Sequence, residues 1–158
     1  MSKIDVSAQK WSQGGNYPEP FASAVAGRSW QSLGDAAGLT QFGANLMRIE
    51  PGAASSAHHW HEEEDEFVYM IEGELVLVED DGETTMRPGD TAGFKAGVAS
   101  GHHLVNRSDR NAVFLVVGSR AQRERCHYPD IDLVYEYNNG RFRYTRKSGT
   151  PYGDWQRD

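Results

Sequence analysis

The chain of 158 residues carries a single cysteine, Cys126. One thiol closes no internal disulfide, which suits a reducing compartment. No partner base is evident in the sequence, so the thiol reads as inert rather than nucleophilic. Long apolar runs are missing too, and nothing approaches the roughly 18 residues of a membrane span. The opening Met1-Ser2-Lys3-Ile4-Asp5 lacks the apolar stretch of a secretory signal. The expectation is a cytoplasmic protein without a membrane partner. Positive charge is scarce, with 16 Lys and Arg against 23 Asp and Glu and a net charge of -7. Such a chain is repelled by phosphate backbones, so nucleic acid is not an expected partner. The one basic cluster, Arg141-Phe142-Arg143-Tyr144-Thr145-Arg146-Lys147, reads as the solvated face of a hairpin. Helical periodicity is weak throughout, and neither a repeat nor a low-complexity stretch is visible.

What remains is a succession of short apolar or alternating runs punctuated by Gly, Asp and Pro. The length suits one domain, on a prior of roughly 150 residues each. Strands are expected over 42–50, 58–61, 67–71, 74–79, 83–86, 91–94, 102–106 and 112–117. Asp81-Gly82 and Pro88-Gly89-Asp90 are turn signals between them. This density of strands with tight turns predicts an antiparallel sandwich or barrel over 42–120. Residues 1–41, with Gly14-Gly15, Pro18 and Pro20, read as an extended arm over the barrel, with room for a short strand or one helical turn. The segment 121–158 reads as an extension packed on the barrel. Its strands 132–137 and 141–145 flank the hairpin signal Asn138-Asn139-Gly140, and 122–125 is expected as a helical turn.

The chemistry-bearing residues are the histidines. His59 and His61 stand at i and i+2, which places both imidazoles on one face of a strand. His58 would face the other way. The acidic run Glu62-Glu63-Glu64-Asp65-Glu66 reads mostly as solvated loop. Glu66 opens an apolar strand and can enter the barrel, with Asp65 as the alternative. Of the adjacent His102 and His103 only one can point inward. His102 shares its face with Leu104 and Asn106 and is the choice, His103 being read as outward. His127 reads as structural. Three imidazoles and one carboxylate make a mixed nitrogen and oxygen ligand set for a divalent transition metal.

Together these residues resemble the two sequence motifs of the cupins. The first runs from Gly52 through His59-Trp60-His61 and Glu66 to Gly73. The second runs from Gly89 through Lys95-Ala96-Gly97 and His102 to Asn106. The chain departs from the pattern in three places. Six residues separate Gly52 from His59, one more than usual, Lys95 stands where proline is expected, and four residues rather than two separate Gly97 from His102.

The resemblance implies an all-β double-stranded β-helix, a jelly-roll barrel, with an N-terminal arm and a C-terminal β-hairpin. It implies that His59, His61, Glu66 and His102 hold one divalent transition metal: Mn, Fe, Ni, Co or Zn. It also implies a small-molecule substrate. Trp60 and the inward residues of 67–71 and 112–117 are expected to wall the site, and Arg48 is a candidate partner for an anionic substrate. Small bacterial cupins of this appearance are likened to sugar-phosphate isomerases, so isomerase or epimerase chemistry on a sugar or sugar phosphate is the leading expectation. A metal-dependent dioxygenase and a non-catalytic metal or metabolite sensor are the alternatives. A homodimer is expected, with the arm reaching a neighbour's sheet edge.

Overall fold

The computed structural model describes residues 3–157. The chain is all-β, and its only α-helical turn among these residues is α1 (Leu33–Ala36). Strands β1 (Ser12–Gln13), β2 (Arg28–Ser32), β3 (Phe42–Ile49) and β4 (Trp60–His61) lead into β5 (Glu66–Glu72), β6 (Leu75–Glu79) and β7 (Gly82–Met86). Then come β8 (Thr91–Phe94), β9 (His102–Val105), β10 (Ala112–Ser119) and β11 (Arg123–Tyr128). The chain closes with β12 (Leu133–Asn138), β13 (Arg141–Thr145) and β14 (Gln156–Arg157).

These strands form a six-stranded sheet in the order β1-β2-β3-β10-β5-β8 and a three-stranded sheet β7-β6-β9. The two share one apolar core, in which Ile49, Met70, Leu75, Ala112 and Phe114 are almost completely excluded from water. A third sheet, of five strands in the order β14-β13-β12-β11-β4, carries a separate core of Cys126, Tyr128, Leu133, Phe142 and Tyr144. Alternation along β5 explains how one strand serves both the core and the site. Val68 and Met70 are buried, while Phe67, Tyr69 and Ile71 are exposed.

Two expectations about the ends change. The arm carries more than one short strand or turn, since its β2 pairs along β3 from Arg28↔Ile49 to Ser32↔Asn45 and is followed by α1. The segment 122–125, expected as a helical turn, begins β11 instead. It is held between β4 and β12, and edge pairing decides its conformation where local propensity is weak. The hairpin signal is realised, with Asn139 at φ 47° and Gly140 at φ 80°, the left-handed pair that a tight hairpin turn needs. No helix among the described residues is long and apolar enough to cross a membrane.

Asn106 staples the barrel. It is fully buried and uses both ends of its amide. Nδ2 donates to the carbonyls of Ile49 at 2.9 Å and Arg110 at 2.8 Å, and Oδ1 accepts from the N–H and hydroxyl of Ser108. Asn106→Ala orphans several of these groups at once, so a loss of about 3 kcal/mol of stability is expected. Urea denaturation checks this, and a loss below about 1 kcal/mol contradicts the role.

Candidate metal centre

Backbone pairing sets the site before any side chain is considered. His59 and His102 exchange both backbone hydrogen bonds, N–H to carbonyl at 3.2 and 2.8 Å. That pairing brings imidazoles 43 positions apart in the sequence to a ring separation of 4.7 Å. His61 shares the face of His59, and their ring centroids lie 5.0 Å apart. Glu66 starts β5 on the inward face of Val68 and Met70 and reaches the same point.

The four side chains converge on one atom. Glu66 Oε2 lies 3.8 Å from His59 Nε2, 3.7 Å from His61 Nε2 and 3.4 Å from His102 Nε2. For metal–ligand bonds of about 2.1 Å, two ligands stand ~3.0 Å apart at right angles and ~4.2 Å apart when opposed. The three separations from Glu66 Oε2 fall between these limits, while His61 forms its own close groups with His59 and Cys126 and with Glu64 and Glu124. Ligating atoms of His59, Glu66 and His102 also lie within 4.8 Å of one another. Geometry and donor chemistry therefore fit a divalent ion.

Outer contacts aim the rings. His59 Nδ1 stands 2.9 Å from the Ala57 carbonyl and 3.1 Å from Ser56 Oγ. Donation to that carbonyl leaves the Nε2 lone pair facing inward. His61 Nδ1 lies 3.4 Å from Glu124 Oε1. The carboxylate of Glu124 is itself fixed by the N–H groups of Glu62 at 3.0 Å and Glu63 at 2.9 Å. The His102 ring stacks flat on Phe94, with centroids 3.5 Å apart.

The same contacts tune the charges. Burial pushes His59 down to about 4, the neighbouring Glu66 only partly offsetting it. Burial also acts to lower His61, but Glu124, Glu66 and Glu64 outweigh it and raise the ring above its ordinary value. Burial would raise Glu66, yet its contacts with His102 and His59 hold it below the usual carboxylate range. A metal competes with protons for neutral imidazole. His61 takes the first proton as pH falls through and below its raised value. His59 follows near 4. Bound metal is therefore expected to decline as pH falls from above ~6.5 and to be gone by pH ~4. Elemental analysis after dialysis across that range checks the decline, and full retention at the acid end contradicts it.

The other candidates lie outside this convergence, although Asp65 and His103, the latter expected to point outward, both line the adjoining cavity. Asp65 accepts from the N–H of Ala96 at 2.8 Å and ties down a loop. His58 sits between Asp80 at 3.3 Å and Asp130 at 3.1 Å. His103 Nδ1 approaches the Ser56 carbonyl at 3.1 Å and is half-buried. His127 stacks on Trp60 at 4.3 Å and approaches Glu62 Oε1 at 2.6 Å. Trp60 is thus absent from the main cavity and lines a smaller one beside it with His61, Phe94 and His102. Val68, Phe94, Phe114 and Val116 line the cavity, and Trp30 from the arm joins them. Arg48 is also displaced from its expected role, lying 3.8 Å from the Trp11 ring on another face of the sheet. Sequence reasoning missed Arg28, Trp30 and Glu124, which reach the site only through strand pairings that local patterns do not announce.

The cavity beside the four side chains holds about 390 Å³, within the range of small-molecule sites. The family pattern of the cupin domain matches residues 45–118. A sugar phosphate isomerase of the cupin superfamily from Silicibacter pomeroyi is 49% identical, with 96% of each chain covered and a TM-score of 0.92. A protein from Acidithiobacillus ferrooxidans, provisionally described as a sugar phosphate isomerase, is 32% identical over 83% of this chain and 81% of its own, with a TM-score of 0.71. A polyketide cyclase from Streptomyces resistomycificus shares the fold at 22% identity and a TM-score of 0.59, over 75% of this chain and 79% of its own. No curated protein matches the chain.

Proposed function

The chain belongs to the cupin superfamily, and from that premise we propose that it is a metal-dependent enzyme isomerising or epimerising a small sugar or sugar phosphate. The observation that carries this reading is the convergence of three imidazole Nε2 atoms on one Glu66 oxygen beside a cavity of substrate size. A divalent ion held by His59, His61, Glu66 and His102 supplies Lewis acidity toward the hydroxyl and carbonyl oxygens of such a substrate. The chain's own contribution is positional. Ala57 and Glu124 aim the rings, and Phe94, Phe114 and Val116 keep bulk water from the reacting face. The likeness to the Silicibacter pomeroyi isomerase supports the substrate class.

The experiment is a screen of metal-loaded protein against aldose and ketose phosphates and their dephosphorylated forms in D₂O, followed by ¹H NMR. Interconversion of isomers, or solvent deuterium entering at the carbon beside the carbonyl, is the expected result. Oxygen uptake on adding a catechol, flavonol or diketone, with no such exchange, would replace this reading by an oxygenase. Binding without turnover in either assay would replace it by a sensor. We also propose a homodimer in solution, since among the described residues β1 and β8 stand at the edges of the six-stranded sheet. Light scattering at micromolar concentration should give about twice the 17.6 kDa of one chain, and a monomer mass refutes it.

A further inference from the structure

A second cavity, of about 330 Å³, meets the metal centre on the side of the C-terminal sheet. It shares His59, His61 and Arg28 with the first cavity, and its wall includes Tyr17, Tyr128 and Tyr144. Arg28 is the unusual member. Its Nε and Nη2 donate to the Gly14 carbonyl at 3.0 and 2.8 Å, and Nη1 donates to the Ser55 carbonyl at 2.8 Å. The guanidinium lies 5.3 Å from the Trp30 ring centroid. The loop above it is closely fitted, for a Cβ on Gly15 would come within 2.6 Å of Nη2.

Carbonyl dipoles satisfy hydrogens but do not neutralise a charge. Among the described residues no carboxylate lies within ion-pair distance of Arg28. Its electrostatic neighbours are the phenols of Tyr17, Tyr128 and Tyr144. Burial pushes the phenols of Tyr17 and Tyr144 up, so they stay neutral, and the Tyr17 hydroxyl is held in place by a hydrogen bond with Tyr128. A partly buried cation without a counter-charge costs stability, and an incoming anion would offset that cost. A guanidinium has five N–H donors, of which three are spent here, so one remains on each terminal nitrogen.

We propose that Arg28 and these tyrosines form an oxyanion subsite that takes the phosphate or carboxylate of the substrate while the rest of the molecule reaches the His59 and His61 side of the metal centre. The subsite itself rests on the cavity and the unpaired guanidinium. Only its pairing with a sugar skeleton rests on the isomerase reading. Both anion classes suit a guanidinium fork and phenol donors.

The test titrates inorganic phosphate and, separately, acetate into the metal-loaded full chain by calorimetry. Saturable binding of at least one is expected. Tighter phosphate binding identifies a phosphate site, and tighter acetate binding a carboxylate site. Arg28→Met should weaken the preferred anion at least tenfold with bound metal unchanged, and Arg28→Lys should recover part of the loss. If Arg28→Met fails to fold, the paired Tyr17→Phe and Tyr144→Phe variant, which keeps ring volume, should still weaken binding severalfold. Equal affinity in wild type and variants, as for an anion held by the metal alone, overturns the proposal. So does an absence of saturable binding for both anions. Arg28-dependent phosphate binding with no sugar phosphate turned over would leave the subsite standing and remove the isomerase reading. Turnover with anion binding indifferent to Arg28 would do the reverse.

Discussion

Replacing His59 and His61 together by alanine should strip the bound metal from the protein while leaving the barrel folded. The two rings supply two of the four convergent donors, both aimed at Glu66 Oε2. Losing an outer-shell partner typically costs about 10–100-fold in metal affinity, and losing a donor costs more, so each single substitution should weaken binding by over ~100-fold. The apolar core around Ile49, Met70 and Phe114 does not include either ring. The metal-free variant should therefore keep the far-ultraviolet circular dichroism of the metal-free parent. Competition with a chromophoric chelator measures the affinity. Full stoichiometry in the double variant would place the ion elsewhere.

Glu124→Ala should produce the second large effect, from a residue outside the four donors. Glu124 lies on β11, its side chain is 1% exposed, and it anchors the Glu62 and Glu63 N–H groups while facing His61 Nδ1. Truncation frees the ring of His61 to turn, and metal affinity should fall by about 10–100-fold. It also orphans two backbone donors, so the metal-free protein should lose about 2–4 kcal/mol of stability. The two readouts are separable by measuring urea denaturation without metal and chelator competition with it. Unchanged metal affinity would reduce Glu124 to a brace for the loop.

The sequence exposed the barrel because its signals are local. Period-two alternation, Asp81-Gly82 and Asn139-Gly140 each act within a few residues, and the strands appear where they indicate. The His59, His61 and Glu66 grouping was legible for the same reason, since two of its members share a strand face. His102 needed the second motif, because its approach to His59 comes from a pairing across 43 positions. The C-terminal segment was read as a packed extension, yet β11 pairs with β4, setting Cys126 opposite His61 and His127 opposite Trp60. Nothing in the run Arg123–Tyr128 signals that partner. Trp60 misled for a related reason. A large aromatic between two donors suggests a wall, but alternation takes it off the main cavity and onto His127. Arg28 and Arg48 are both arginines on neighbouring strands, and only the register, Arg28↔Ile49 against Ser29↔Arg48, shows that they face opposite sides.

On the proposed reading, His59, His61, Glu66 and His102 grip one cation. Anomalous diffraction at the absorption edge of the metal found in protein purified without an affinity tag tests it most directly. One peak per chain within coordination distance of the three Nε2 atoms and the Glu66 carboxylate is the expected result. A peak at any other place in the chain, or none in protein kept at neutral pH, contradicts it.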